Sequence, residues 1–121
     1  MERHDGNIII FPDAIVLKGL PIENSGWNGK YVKTEEMSHG YPVYRRTHHK
    51  YFIFFLDIIG TSILHNGRTW ALRSDANYSC FDFGLESSIG KRNVLPYGRW
   101  SSEVIGWRGE VVRYRRWMFW V

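Results

Sequence analysis

Apolar residues in this chain come in short aromatic and β-branched runs, separated by clusters of turn-forming residues. A helical repeat is almost absent, whereas short runs bounded by Gly, Pro, Asn and Asp are typical of β-strands. The pattern predicts strands over residues 8–11, 14–17, 30–33, 41–45, 51–57, 69–73, 78–83, 104–107 and 110–121, with a break at Gly109 between the last two. We therefore expect an all-β fold, a small single-domain antiparallel barrel or sandwich of about 7–9 short strands over residues 1–121.

The most hydrophobic stretch, YFIFFLD at 51–57, predicts a central strand that is buried on both faces. Two Asn-Gly pairs, Asn28-Gly29 and Asn66-Gly67, predict tight turns because both residue types tolerate a positive φ. The segments 20–26, 35–40 and 85–97 are polar or rich in Gly and Pro, and they predict loops.

Composition narrows the class of protein. Hydrophobic residues make up 44% and aromatic residues 17%, which excludes a disordered chain, a collagen and a coiled coil. The single cysteine, Cys80, cannot form an intrachain disulfide, and we expect it to be a buried, inert thiol. The longest apolar run, 51–56, is too short to span a membrane, and the charged start of the chain does not resemble a secretory signal. The sequence predicts an intracellular, soluble protein with no membrane span.

The net charge of +4 is unevenly distributed along the chain. Residues 1–84 carry equal numbers of basic and acidic side chains, so the whole excess lies in 85–121, where six of the seven basic residues are arginines. Arginine binds carboxylate and phosphate groups through a planar fork and stacks on aromatic rings. A basic C-terminal third favours an acidic partner, although positive charge on a strand edge also serves simply to discourage aggregation.

Four segments in this order resemble a known module. They are NGKY at 28–31, GYPVYRR at 40–46, YFIFF at 51–55 and GRTWAL at 67–72, with Pro96 and Trp100 as a closing pair. The series resembles a short β-rich repeat, of the form NGxY…NGRPVY…YLYY…W, found in algal, protist and marine invertebrate proteins. The likeness covers about residues 19–107; the chain departs from it in an insertion at 57–66 and in His39, where the repeat prefers Asn. The resemblance implies a β-rich module and carries no catalytic residue across.

The motif has a structural interpretation of its own. Asn28-Gly29 would form a turn, Tyr31 and Tyr44 would pack across neighbouring strands, and Trp70 would close one side of the core.

Groups that support catalysis or metal binding do not form any familiar constellation. His48 and His49 are adjacent and would point to opposite faces of a strand, and no CxxC or HxxxH spacing accompanies them. Glu35-Glu36 lacks a partner at a glycosidase spacing, and Asp82-Phe83-Gly84 lacks every other kinase motif. No phosphate-binding glycine loop is present. We expect a non-enzymatic protein with no cofactor and no metal.

The last part of the chain interleaves arginines with aromatic residues. The candidate binding residues are Arg108, Arg113, Tyr114, Arg115, Arg116, Trp117 and Trp120. Trp, Tyr and Arg dominate protein–protein hot spots, so this composition predicts binding to another protein or self-assembly. It also describes a nucleic-acid site, in which bases stack on aromatic rings beside Arg113, Arg115 and Arg116, and a plain core strand with arginines facing water. Glycan binding through exposed aromatic rings is a further alternative. The apolar end, 117–121, is expected to pack on the core or on a partner.

Overall fold

The computed structural model describes residues 3–4, 7–21, 26–57, 68–74, 85–87, 95–101 and 106–116. These residues form ten strands: β1 (Arg3–His4), β2 (Asn7–Ile8), β3 (Ala14–Lys18), β4 (Gly29–Ser38), β5 (Tyr41–Arg46), β6 (Phe52–Asp57), β7 (Arg68–Arg73), β8 (Leu85–Ser87), β9 (Gly98–Ser101) and β10 (Arg108–Arg113). The predicted strand at 78–83, the turn at 66–67 and Cys80 lie outside the described residues.

The strands β3 to β10 form a closed antiparallel barrel in which each strand pairs with the next along the chain. The last strand closes it, because β10 pairs with β9 on one side and with β3 on the other. β1 and β2 form a separate two-stranded hairpin. The all-β prediction is therefore confirmed. The barrel has two open ends, and we name each after an aromatic residue that lies there. The Trp27 end is where the even-numbered strands β4, β6, β8 and β10 begin. The Phe11 end is where the odd-numbered strands β3, β5, β7 and β9 begin.

Aromatic side chains fill the barrel interior. Trp70 lies at the centre with its ring centroid 5.5 Å from that of Phe55, 6.1 Å from that of Tyr41 and 6.2 Å from that of Tyr44. Trp100 is also buried, and its indole N–H donates to the carbonyl of Pro96 at 3.0 Å. An eight-stranded barrel has an interior that side chains can fill, and these buried rings occupy it.

The predicted central strand is confirmed in β6. Ile53 and Phe55 point into the barrel core, while Phe54 packs on the other face of the sheet against Val43 and Ala71. All three β6 residues 53–55 are buried. Alternate residues of a strand face opposite sides, so burial of three in a row requires both faces to be covered.

Several predicted boundaries are wrong. The strand predicted at 8–11 includes only Ile8, the strand predicted from 110 ends at Arg113, and residues 106–107 of the strand predicted at 104–107 are not in a strand. Residues 104–105 and 117–121 of these predictions lie outside the described residues.

The loop predicted at 35–40 is mostly strand, because β4 runs to Ser38 and the turn is only His39-Gly40, with φ of 53° and 86°. Positive φ at both turn residues is the signature of a type I′ hairpin. The loop predicted at 85–97 includes β8, and the break predicted at Gly109 lies inside β10.

The extra length of β4 is accommodated by a bulge. Lys33 pairs with Tyr44 and Met37 pairs with Pro42, so β4 uses two more residues than β5 between the same two rungs. The Thr34 hydroxyl replaces part of the missing ladder: it donates to the carbonyl of Val43 at 2.8 Å and accepts from the Glu36 N–H at 3.2 Å. Polar residues in this stretch therefore stabilise an irregular strand instead of a loop.

The Asn28-Gly29 turn is held by Arg46, which is only 3% exposed. The Arg46 Nε donates to the carbonyl of Asn28 at 3.1 Å, and its Nη1 donates to the carbonyl of Thr47 at 3.2 Å. The Asn28 amide in turn both donates to and accepts from the backbone of Leu20. Gly29 has a φ of +138°, and a Cβ placed on it would lie 2.5 Å from the Arg46 Cζ. Only glycine fits between this turn and the buried guanidinium.

Replacing Gly29 by Ala is expected to lower the free energy of unfolding by about 3 kcal/mol or more, as measured by urea denaturation. The backbone strain contributes about 1–3 kcal/mol, and displacing Arg46 from its buried charged hydrogen bonds adds about 1.5–3 kcal/mol. Gly40→Ala is the matched control, because Gly40 also has a positive φ of +86° but has nothing within 4 Å of its Cβ position. Equal losses in the two variants would show that Arg46 does not constrain the turn.

Two buried tyrosines predict a loss of stability in alkali. Burial raises the pKa of both Tyr31 and Tyr44 well above the usual value. Above about pH 10 the unfolded chain releases these phenolic protons while the folded protein keeps them, so rising pH favours unfolding by about 1.4 kcal/mol per pH unit for each tyrosine. Below that pH the two states hold the same protons and the effect disappears.

Tyr31→Phe should therefore flatten the decline of unfolding free energy between pH 10 and 12 by about one tyrosine's slope, measured by chemical denaturation at several pH values. The substitution also removes the hydrogen bond of 2.7 Å that the Tyr31 hydroxyl donates to the carbonyl of Trp27. This lowers stability at neutral pH by about 1 kcal/mol and leaves the slope comparison intact. An unchanged alkaline slope in the variant would contradict the assignment.

Candidate binding surface

The predicted binding residues separate along β10. Arg108 and Arg113 are the first and last residues of the strand, so they lie about 16 Å apart at opposite ends of the barrel. Arg115 and Arg116 follow at the Phe11 end and are exposed, as are Arg108 and Arg113, while Tyr114 is half-buried. Trp117 and Trp120 lie outside the described residues. The predicted surface is thus brought together at 113–116, and Arg108 is not part of that group.

Tyr114 is held against the barrel by a cation from β4, which is separated from β10 by β3. The Lys30 Nζ on β4 lies 4.2 Å from the centroid of the Tyr114 ring. A cation–π contact at a partly exposed site contributes about 0.5–1 kcal/mol. It fixes the chain just after β10 as one wall of a surface groove.

We call this depression the large groove. It has a volume of about 660 Å³, and its lining includes Ile10, Pro12, Ala14, Val32, Arg113 and Tyr114. Lys30 and Asp13 contribute charged groups to the same lining, which is otherwise largely apolar. Arg113 and Tyr114 are therefore the two predicted binding residues that the structure places in a concave site.

A second depression, the small groove, lies along the bulged part of β4. It has a volume of about 450 Å³ and is lined by Ile9, Ile10 and Phe11 together with Lys33, Glu35 and Met37, among others. Ile10 lines both grooves, so the two meet at this residue. Together they follow β4 along the outside of the barrel toward its Phe11 end.

The segment between the grooves is anchored from one side only. Phe11 packs against the core, with its ring 5.6 Å from Tyr41, and the Tyr44 hydroxyl donates to the carbonyl of Pro12 at 2.7 Å. With Phe11 turned inward, Ile10 is left outward and is 76% exposed. The contacts of Phe11 and Pro12 with the core thus leave the Ile10 side chain exposed to solvent.

Large exposed aliphatic side chains occur at three of the described positions: Ile10 at 76%, Met37 at 58% and Val32 at 38% exposure. Each of them lines a groove. Single exposed apolar residues are common on any protein, but their concentration at one pair of adjoining grooves is typical of an interaction surface. None of the three was predicted from the sequence as a binding residue, since Ile10 and Val32 lie in predicted strands and Met37 in a predicted loop. The local signal for Met37 was an apolar residue within the polar series Thr34–Ser38.

Charges are distributed unequally between the grooves. The lining of the large groove contains two bases, Lys30 and Arg113, and one acid, Asp13, so it carries a net positive charge. In the small groove Lys33 and Glu35 have opposite charges. The large groove is therefore positive, and the small groove is close to neutral.

The other aromatic cluster lies at the Trp27 end and is part of the packing. Trp27 contacts Tyr51 and Trp107, with ring centroids 5.4 and 5.8 Å apart, and all three rings are half-buried against the core. The rings are tilted by 50° and 89° to one another and do not form a flat row. His49, stacked on Tyr51 with an interplanar angle of 8°, extends this cluster with a parallel face.

In the part of the chain that the structure describes, no three or more His, Cys, Asp or Glu side chains are grouped as a metal site requires. Over the same residues, no helix has the length and apolar character needed to cross a membrane. Comparison with models of protein families, with curated proteins and with solved structures finds no match to this chain.

The exposed aliphatic residues are expected to be dispensable for folding. Ile10→Asp and Met37→Asp should each change the free energy of unfolding by no more than about 0.5 kcal/mol, because both side chains are largely solvated. Phe11→Ala should lower the free energy of unfolding by about 2 kcal/mol or more, because Phe11 lies in the groove wall but packs into the core. Thermal and urea denaturation of the three variants measures the difference, and a cost for Ile10→Asp as large as that for Phe11→Ala would contradict the placement of Ile10 on the surface.

Proposed function

We propose that this chain is a non-enzymatic β-rich module that binds another protein through the two grooves. The observation that supports this most directly is the position of the three exposed aliphatic residues, Ile10, Val32 and Met37, all of which line these grooves. Arg113 and Tyr114 form part of the large groove, so residue types common in interface hot spots lie beside the aliphatic ones.

The energetics suit a protein partner. Each aliphatic side chain that passes from water into an interface contributes up to about 1.5–3 kcal/mol, less for Val32, which is already largely covered. The aliphatic residues alone would give weak binding once the cost of immobilising two molecules is subtracted. Contacts to Tyr114 and the neighbouring arginines would supply the additional free energy, so we expect a modular, reversible interaction.

A protein partner is favoured over a nucleic acid by the surroundings of the grooves. Single-stranded nucleic acid binds by stacking bases on exposed rings next to basic residues. Among the described residues the aromatic rings are buried or half-buried, and the exposed apolar positions are aliphatic. Glu35 in the lining of the small groove would repel phosphate groups. Glycan binding is less favoured because the half-buried rings at the Trp27 end are tilted instead of flat.

The proposal is tested by panning a phage-displayed library of random peptides against the immobilised full chain, followed by affinity measurement with synthetic copies of the enriched peptides. We expect peptides that bind the wild-type protein and bind Ile10→Asp or Met37→Asp at least about 10-fold more weakly, a loss of about 1.4 kcal/mol. His48→Asp is the matched control: it adds the same charge at an exposed position of the β5–β6 turn, at the opposite end of the barrel, where a φ of 65° is tolerated by Asp.

Two outcomes would contradict the proposal. One is a library that yields no peptide binder, or binders that Ile10→Asp and Met37→Asp do not weaken. The other is tight binding of a single-stranded RNA probe whose affinity falls steeply between about 50 and 200 mM salt, which would favour the nucleic-acid alternative.

A further inference from the structure

We infer that the partner segment is bipolar, with carboxylate side chains toward the large groove and apolar side chains toward the small groove. This inference rests on the proposed function and specifies the chemistry of the occupant. It follows from three features of the described residues: the unequal charge of the grooves, the ion pair that lies between them and the shared aliphatic residue Ile10.

The positive end is set by groups from two different strands. Lys30 on β4 and Arg113 at the end of β10 both line the large groove, and the exposed Arg115 and Arg116 follow Arg113 in the chain. The lining of this groove contains one acid, Asp13, against the two bases Lys30 and Arg113. A carboxylate placed here therefore meets net positive charge, and Arg113 can bind it through two parallel N–H donors.

The apolar end is set by β4 and the segment before β3. Met37 and Ile10 are the most exposed apolar residues among the three aliphatic ones, and both line the small groove. Glu35 shares this lining with Lys33, so a partner carboxylate at this end would gain no net attraction and would meet Glu35 as a like charge. Apolar partner side chains are favoured here because they cover Ile10 and Met37.

The junction fixes the order of the two ends. Ile10 lines both grooves, and the Lys33–Asp13 pair joins a residue of the small groove to a residue of the large one. A bound segment that crosses Ile10 must therefore present an apolar residue at its middle. Its acidic residues would lie on the Arg113 side and its other apolar residues on the Met37 side. The grooves discriminate against a uniformly acidic segment as well as against a uniformly apolar one.

Charge reversal tests the inference separately from the proposed function. The same peptide library is panned against the wild-type chain, against Arg113→Glu and against Lys30→Glu/Arg113→Glu. We expect wild-type peptides to carry Asp or Glu on one side of an apolar core, to bind Arg113→Glu about 10-fold more weakly, and to be replaced by peptides with Lys or Arg at those positions when the double variant is panned.

Arg113→Glu serves as the second variant because Lys30→Glu also removes the contact with the Tyr114 ring, whereas Arg113 is exposed at the end of β10. Lys50→Glu is the control, since Lys50 is exposed in the β5–β6 turn at the opposite end of the barrel, and it should select the wild-type peptides unchanged. Peptides that depend on Ile10 but carry no acidic residues, or that bind Arg113→Glu as tightly as wild type, would overturn the inference and leave the proposed function standing. Absence of any Ile10-dependent peptide would overturn both.

Discussion

The structure depends on filling the inside of an eight-stranded barrel with large aromatic rings. The interior of a barrel of this size is narrow enough for side chains to fill it, so the closed sheet and its core are stabilised together. Trp70, Trp100, Tyr31, Tyr44 and Phe55 meet that requirement, and Phe11 and Trp27 pack against the same core from its two ends. Among the described residues, the aromatic rings are buried or half-buried, and the large apolar side chains that are exposed are aliphatic.

The small groove follows from a mismatch in strand length. β3 has five residues and β4 has ten, so β4 continues past the beginning of β3 at the Phe11 end. The backbone pairing of the two strands ends where the Lys33 N–H donates to the carbonyl of Asp13. Beyond that point the segment before β3 runs beside β4 without a described ladder, and the small groove lies between them. A long unpaired strand edge invites aggregation, and the bulge at Thr34 together with Lys33, Glu35 and Glu36 protects this one.

Local sequence patterns predicted the all-β class and the positions of β3, β5, β6 and β7, because each of these strands is marked by an apolar run with turn residues around it. They did not predict the reach of β4, since its second half is polar and is stabilised by the Thr34 hydroxyl and by pairing with β5 instead of by its own burial. β8 and β9 were missed because short strands in a Gly-, Ser- and Pro-containing segment are specified by their neighbours in the barrel. These elements form because neighbouring strands of the barrel pair with them.

The candidate surface, too, was predicted from the sequence only in part. Arg113 and Tyr114 were predicted because arginine beside an aromatic residue is visible in sequence, whereas Ile10, Val32 and Met37 became recognisable only when the fold left them exposed. Ile10 and Phe11 illustrate the reason. They are adjacent and equally apolar, yet the packing of Phe11 on Tyr41 and the hydrogen bond from Tyr44 to Pro12 turn one inward and the other outward. Residues of the NGKY and GYPVYRR segments that hold the barrel together also position the groove wall, since Tyr44 donates to the carbonyl of Pro12 and Lys30 contacts the Tyr114 ring. A wall held by the core in this way reduces the ordering that binding requires.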